Sequence, residues 1–149
     1  MSKKKWSEFN RQQLGRYGEL FAIMEYMSYG YDVYTPEVDD HGVDFMAVGK
    51  DGISLEIQVK SVNNFNYAYV QKDKIALDER HFVAYVRFVD GCAPKLYIIP
   101  ATVWKKPNDL FVDYKYDKQD QKSKPEYGIR MIADRLPMLE EYNAENMLG

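Results

Sequence analysis

Two alternating apolar runs, residues 43–48 and 53–59, flank Gly49-Lys50-Asp51-Gly52, and no other stretch narrows the choice of fold so much. Asp-Gly between alternating runs is a hairpin signal, because the tight turns it favours match the twist of the paired strands. The polar residues fall unusually for a plain hairpin. Asp44 lies at the start of the first strand, and Glu56, Gln58 and Lys60 alternate along the second. Side chains repeat every two residues along a strand, so those three share one face. Within residues 39–61 an acid therefore lies beside an acid, an amide and an amine on the neighbouring strand.

Ahead of the hairpin, residues 11–28 read as a helix. Leu14, Tyr17, Leu20, Phe21, Met24 and Met27 recur at steps of three and four and make one broad apolar face, which ordinarily turns to the core. Gly15, Gly18, Glu19 and Ala22 cluster on a second face. A glycine inside a helix costs about 1 kcal/mol relative to alanine, so this face is expected to lie close to a sheet. Glu19 is its one long polar group, and taken alone it reads equally well as an exposed helix carboxylate. Residues 31–35 read as a short strand ended by Pro36, 62–69 as a loop or irregular strand, and 71–78 as a short helix carrying Lys72 and Lys74. Residues 81–89 (HFVAYVRFV) have the near-continuous apolar run of a buried central strand. Asp90-Gly91 turns it into a strand at 95–99, and a helical turn at 101–105 carries Trp104. Residues 115–125 read as a charged surface loop, 127–132 as a last edge strand, and 136–147 as a C-terminal helix starting near Pro137. This order points to an α/β sandwich around a mixed sheet.

Composition sets the remaining bounds. With 149 residues and 46% apolar content, residues 11–149 are expected to form one domain with a real core, and 1–10, carrying Lys3-Lys4-Lys5, a flexible basic N-terminus. A formal charge of −3 gives no global field favouring nucleic acid and leaves only local basic patches. Thirteen Tyr and seven Phe suit a core, an interface or base stacking equally. A single cysteine excludes an intrachain disulfide and any Cys-rich zinc site, and the two histidines are far apart in sequence. No run approaches the roughly 18 apolar residues of a membrane span, and the polar first residues do not read as a signal peptide. No membrane association is expected, and a soluble cytoplasmic protein is.

Gly42-Val43-Asp44 followed by Gln58-Val59-Lys60-Ser61 resembles the signature of the PD-(D/E)XK nuclease superfamily, an acid opening one strand and acid-x-Lys on the next. Gly15-Arg16-Tyr17-Gly18-Glu19 resembles the first-helix glutamate motif of its Holliday-junction-resolvase-like branch, and some methyl-directed restriction enzymes carry Gln-x-Lys. The likeness spans roughly residues 11–100. It implies a restriction-endonuclease-like sandwich, with a mixed central β-sheet flanked by helices and an αβββαβ core. It also implies a nuclease that hydrolyses DNA phosphodiester bonds with Mg²⁺ or Mn²⁺, acting on DNA as its partner and often as a homodimer. The catalytic residues it implies are Glu19, Asp44, Gln58 and Lys60, with Glu19, Asp44, Gln58 and the carbonyl of Val59 as metal ligands. Glu56 and Ser61 are accessory candidates.

Two positions depart from the pattern. Val43 replaces a proline, and Gln58 stands where the second acid belongs. An amide oxygen still ligates a hard cation but brings no charge, which Glu56 or Glu19 would have to restore. The same residues also fit a structural Asp44–Lys60 ion pair across the hairpin. That alternative is a catalytically inactive nuclease-fold module binding nucleic acid or a protein partner. The catalytic reading carries a geometric expectation: Glu19, Asp44, Gln58 and Lys60 converge on one exposed cleft.

Overall fold

Asn10 opens helix α1 (Arg11–Ser28): its side chain accepts the Gln13 N–H at 2.8 Å, and the Gln13 side chain accepts the Asn10 N–H at 3.0 Å. This reciprocal cap satisfies two amides that have no partner within the helix. The computed structural model describes residues 2–38, 41–120 and 122–149, so Asp39 and Asp40, read above as part of the hairpin stretch, lie outside the described residues.

The face that α1 buries is the small-residue side expected to lie close to a sheet, and of the broad apolar face only Leu14 is fully buried. Leu14, Gly18, Ala22 and Tyr26 form a buried row at four-residue steps, whereas Leu20, Met24 and Met27 are 43%, 59% and 58% exposed. Close approach decided the matter. A Cβ at Gly18 would stand 1.9 Å from Ser61 Oγ and 3.1 Å from Ser61 Cβ, so the helix rests on the sheet through the hydrogen of this glycine. Gly15, by contrast, has nothing within 4 Å of its missing Cβ. The two glycines should therefore respond oppositely to alanine. Gly15→Ala is expected to raise stability by up to about 1 kcal/mol, and Gly18→Ala to lower it by about 1–3 kcal/mol through overpacking. Chemical denaturation of both variants checks this, with Ser61→Ala in the Gly18→Ala background expected to recover part of the loss.

Strands β1 (Asp32–Tyr34), β2 (Phe45–Val48), β3 (Ser54–Asn63), β5 (His81–Phe88) and β6 (Lys95–Pro100) make the central sheet, in the order β1-β2-β3-β5-β6. All neighbours are antiparallel except β3 and β5, which run parallel with Glu56 opposite His81 and Lys60 opposite Tyr85. Strands β4 (Ala68–Gln71), β7 (Phe111–Tyr114) and β8 (Glu126–Ile129) form a second sheet in the order β4-β8-β7.

The result is a mixed central sheet with helices packed on it, a restriction-endonuclease-like sandwich, with three corrections to the expected element order. The crossover between β3 and β5 holds no α-helix. Residues 71–78 give only a 3-10 turn, Lys72–Lys74. Pairing of β4 with β8, the Lys72 N–H to Pro125 O bond (3.0 Å) and the Lys72 ammonium between Asp113 and the Tyr127 ring hold this segment to the second sheet. Tertiary pairing thus overrides local propensity. The last strand is central in its own small sheet, since β8 pairs with both β4 and β7. Finally, the C-terminal helix is two short ones, α2 (Leu136–Glu140) and α3 (Ala144–Leu148). Between them Tyr142 O accepts the Ile98 N–H at 2.7 Å, and Asn143 bridges Tyr97 and caps α3.

Two apolar cores sit on opposite faces of the central sheet. Leu14, Ala22, Tyr26, Phe45, Ile57 and Val86 pack beneath α1, and Val62, Val70, Tyr85, Trp104, Phe111 and Ile129 pack toward the second sheet. The chain just before α1 is also packed. The Trp6 indole N–H donates to Cys92 O at 2.8 Å, its ring meets Tyr17 and Phe88, and Ser7 bonds the Asp90 carboxylate twice. Those Ser7 bonds hold the Asp90 carboxyl below its usual range. Among the described residues no helix is long and apolar enough to cross a membrane.

Candidate active site

Strand β2 separates from β3 at Asp44. The Asp44 N–H still donates to Ile57 O (2.9 Å), but the next free amide of β3, that of Val59, donates to the Asp44 carboxylate instead, with 2.6 Å to Oδ2. The side chain thus replaces a backbone partner that a longer β2 would have supplied. A carboxylate is thereby fixed in the plane of the sheet where two strands part. Such charge-assisted bonds are short and strong.

Alternation along β3 then sorts the other candidates. Ile57 and Val59 pack toward α1. Gln58 and Lys60 turn to the other face, where a groove of roughly 740 Å³ runs between β3 and the second sheet. Asp44, Gln58, Val59, Lys60, Ser61 and Lys74 all line it. Gln58 is 4% exposed, and its Nε2 donates to the Lys74 carbonyl at 2.6 Å. That bond fixes the amide's orientation, since a carbonyl can only accept. The amide oxygen then faces the turn at Gly42, two residues before Asp44.

Glu19 does not reach this groove. It lines a smaller cavity of roughly 330 Å³ with Arg16, Thr35, Val43 and Asp44, and pairs with Arg16 at 3.4 Å. The cause is topological: α1 covers the Ile57–Val59 face, whereas Gln58 and Lys60 point away from it. Asp44, at the strand end, borders both cavities. The four side chains expected in one cleft are therefore distributed over two, joined at Asp44.

Both accessory candidates have other surroundings. Glu56 lines neither cavity; it pairs with His81 Nε2, while His81 Nδ1 lies 2.6 Å from Asp78 Oδ1. The His81 bond pulls the Asp78 carboxyl below its usual range. Ser61 lines the groove, but its Oγ is buried under Gly18 with no hydrogen-bond partner among the described residues, so the hydroxyl serves helix packing. Arg11, Asn63 and Asn66, which the sequence did not single out, join Tyr67 and Tyr69 along the same groove. Arg11 is the first residue of a helix and carries no local mark that would distinguish it from a surface cation.

The donor set fits a hard divalent ion. Asp44 offers a carboxylate, Gln58 an amide oxygen, and the groove has volume for the several waters that Mg²⁺ retains. Among the described residues no three His, Cys, Asp or Glu side chains gather in a group that could hold a metal ion. Any cation here would rest on few protein charges.

The chain is similar in fold to a bacterial homing endonuclease. The structure of that protein, I-Ssp6803I, matches over 93% of this chain and 90% of its own, with a TM-score of 0.55 and 18% identity. At that identity the likeness shows the fold alone. A Holliday junction resolvase from Archaeoglobus fulgidus, Hjc, matches 83% of this chain and 88% of its own, with a TM-score of 0.47 and 13% identity, too distant to carry weight. No protein-family model matches the sequence, and no curated protein does either.

Proposed function

We propose that this chain is a divalent-metal-dependent nuclease that hydrolyses DNA phosphodiester bonds in the groove between β3 and the second sheet. The observation that carries the reading is the placement of Asp44: a carboxylate held at the point where β2 leaves β3, bordering the groove that Gln58 and Lys60 line. Phosphodiester hydrolysis needs a deprotonated water and builds negative charge on the phosphate oxygens. A bound Mg²⁺ or Mn²⁺ would lower the pKa of a ligated water and offset that charge. Asp44, Gln58 and the Val59 carbonyl would hold such an ion; Glu19, which lines the adjoining cavity, would join it only by swinging round Asp44. Lys60 would contact the scissile phosphate or orient the attacking water, as a compact cation with three donors. The similarity in fold to a homing endonuclease supports DNA as the substrate class.

A second reading has its own support. Gln58 is neutral, and its amide is engaged by the Lys74 carbonyl, as suits a nuclease-like fold that binds nucleic acid or a protein without cleaving. One experiment separates the two: Mn²⁺-dependent cleavage of linear duplex, single-stranded and four-way-junction DNA, with Lys60→Ala as control. The nuclease reading expects cleavage by the wild type and loss of about 100-fold or more in the variant, the size of several kcal/mol of transition-state stabilisation. DNA binding with no cleavage under any metal would leave the binding module.

A further inference from the structure

The groove does not end at Lys60. It continues past Asn63 and Asn66 to Tyr67 and Tyr69, and the second sheet holds the Tyr67 ring in place. A Cβ at Gly128 would lie 2.0 Å from the Tyr67 hydroxyl and 2.6 Å from Cζ, so only the bare backbone of β8 lets the ring lie across it. The Tyr67 hydroxyl donates to Glu126 Oε2 at 2.5 Å, and Glu126 is buried. Tyr69 stands beside it, with ring centroids 6.0 Å apart and planes within 18°, and Tyr114 adds a third ring at 6.1 Å.

Both rings remain open to solvent, Tyr67 at 39% and Tyr69 at 47%. A core role does not account for them, because the buried side of β4 belongs to Ala68 and Val70. Fixed, nearly parallel and exposed aromatics offer flat surfaces on which any base can stack. Arg11, Lys60 and Lys74 line the same groove and complement a phosphate backbone. Paired bases in a duplex are stacked on their neighbours, so only unpaired nucleotides present a free face to such rings.

We propose that Tyr67 and Tyr69 form a stacking platform for unpaired bases of the DNA strand whose phosphates follow Arg11, Lys60 and Lys74, an inference that rests on the groove being a DNA site. The test is fluorescence anisotropy in EDTA with a labelled oligothymidylate and a labelled blunt duplex. Tyr69→Ala is expected to weaken oligothymidylate binding by about 5- to 100-fold, to leave duplex binding within about twofold, and to be restored by Tyr69→Phe. Gly128→Ala, which displaces the Tyr67 ring without altering a tyrosine, is expected to lower oligothymidylate affinity in the same direction. No binding of oligothymidylate by the wild type, no loss in Tyr69→Ala, equal loss on both probes, or failure of Phe to restore binding overturns the platform. Its failure is distinguishable from failure of the nuclease reading: Lys60-dependent cleavage of duplex DNA with Tyr69→Ala silent on oligothymidylate sinks the platform alone. Tyr69-dependent binding with no metal-dependent cleavage sinks the nuclease alone.

Discussion

Asp44→Asn is expected to abolish metal-dependent cleavage while the fold survives, and Asp44→Ala to lose both cleavage and stability. The two variants differ in one respect. Asparagine keeps an oxygen that can accept the Val59 N–H, which now bonds Asp44 Oδ2 at 2.6 Å, but it carries no charge. Alanine removes acceptor and charge together, leaving a part-buried amide at the divergence of β2 and β3 without that partner. Losing that bond should cost about 1–3 kcal/mol, or roughly 2–10 °C in Tm for a domain of this size. Cleavage with Mn²⁺ should fall by about 100-fold or more in both, as a ligand charge contributing several kcal/mol is lost. Thermal melts and single-turnover cleavage, run side by side, separate the structural role from the chemical one. Full activity in Asp44→Asn would mean that the carboxylate only caps the Val59 amide of β3 where β2 ends, and the non-catalytic reading would take its place.

The same residue shows what the sequence could and could not convey. Alternation about Asp51-Gly52 marked the β2–β3 hairpin and the apolar run 81–89 marked a central strand, because period-two alternation and turn chemistry are local properties, whereas the parallel pairing of β3 with β5 came only with the structure. Where two elements meet is not local. The α1 sequence has more apolar residues on the side that stays exposed, with Leu20, Met24 and Met27, than the close contact at Gly18 and Ala22 requires. A count of hydrophobic positions favours bulk, but a helix lying on β3 at van der Waals contact favours the absence of it. The placement of Glu19 follows from that seating, for a helix resting on Gly18 turns Glu19 toward the Asp44 side and away from Gln58 and Lys60. The second sheet was legible only in part, for a related reason. A strand was expected at residues 127–132, but its central place between β4 and β7 depends on partners elsewhere in the chain and on a tyrosine ring occupying the place of a side chain at Gly128.

Gln58→Glu carries the sharpest expectation about the departure from the acid-x-Lys pattern. If Gln58 were merely a decayed acid, restoring the carboxylate would raise metal affinity at no structural cost. The Lys74 carbonyl argues otherwise, because it receives the Gln58 Nε2–H at 2.6 Å in a position only 4% exposed. An ionised glutamate has no hydrogen to donate, so it would set two acceptors against each other inside the protein. Without metal, the variant is expected to lose about 1–3 kcal/mol at neutral pH. Burial and the facing carbonyl both favour the protonated form and raise the native-state pKa of the new carboxyl above its unfolded value. A raised pKa means the protonated form's contribution is whole at low pH and is lost as pH rises. The deficit against wild type should therefore be smallest below about pH 4 and grow above it. A divalent ion ligated by both the introduced carboxylate and Asp44 would reverse the sign of this penalty by stabilising the charged form. Melting curves of Gln58→Glu across pH, in EDTA and in Mn²⁺, thus report on both features at once. A pH-dependent deficit in EDTA that Mn²⁺ removes would place a cation between residues 58 and 44. A deficit unmoved by metal would make Gln58 a structural clamp on the Lys74 segment, and the absence of any deficit would mean that the bond to Lys74 does not hold the amide.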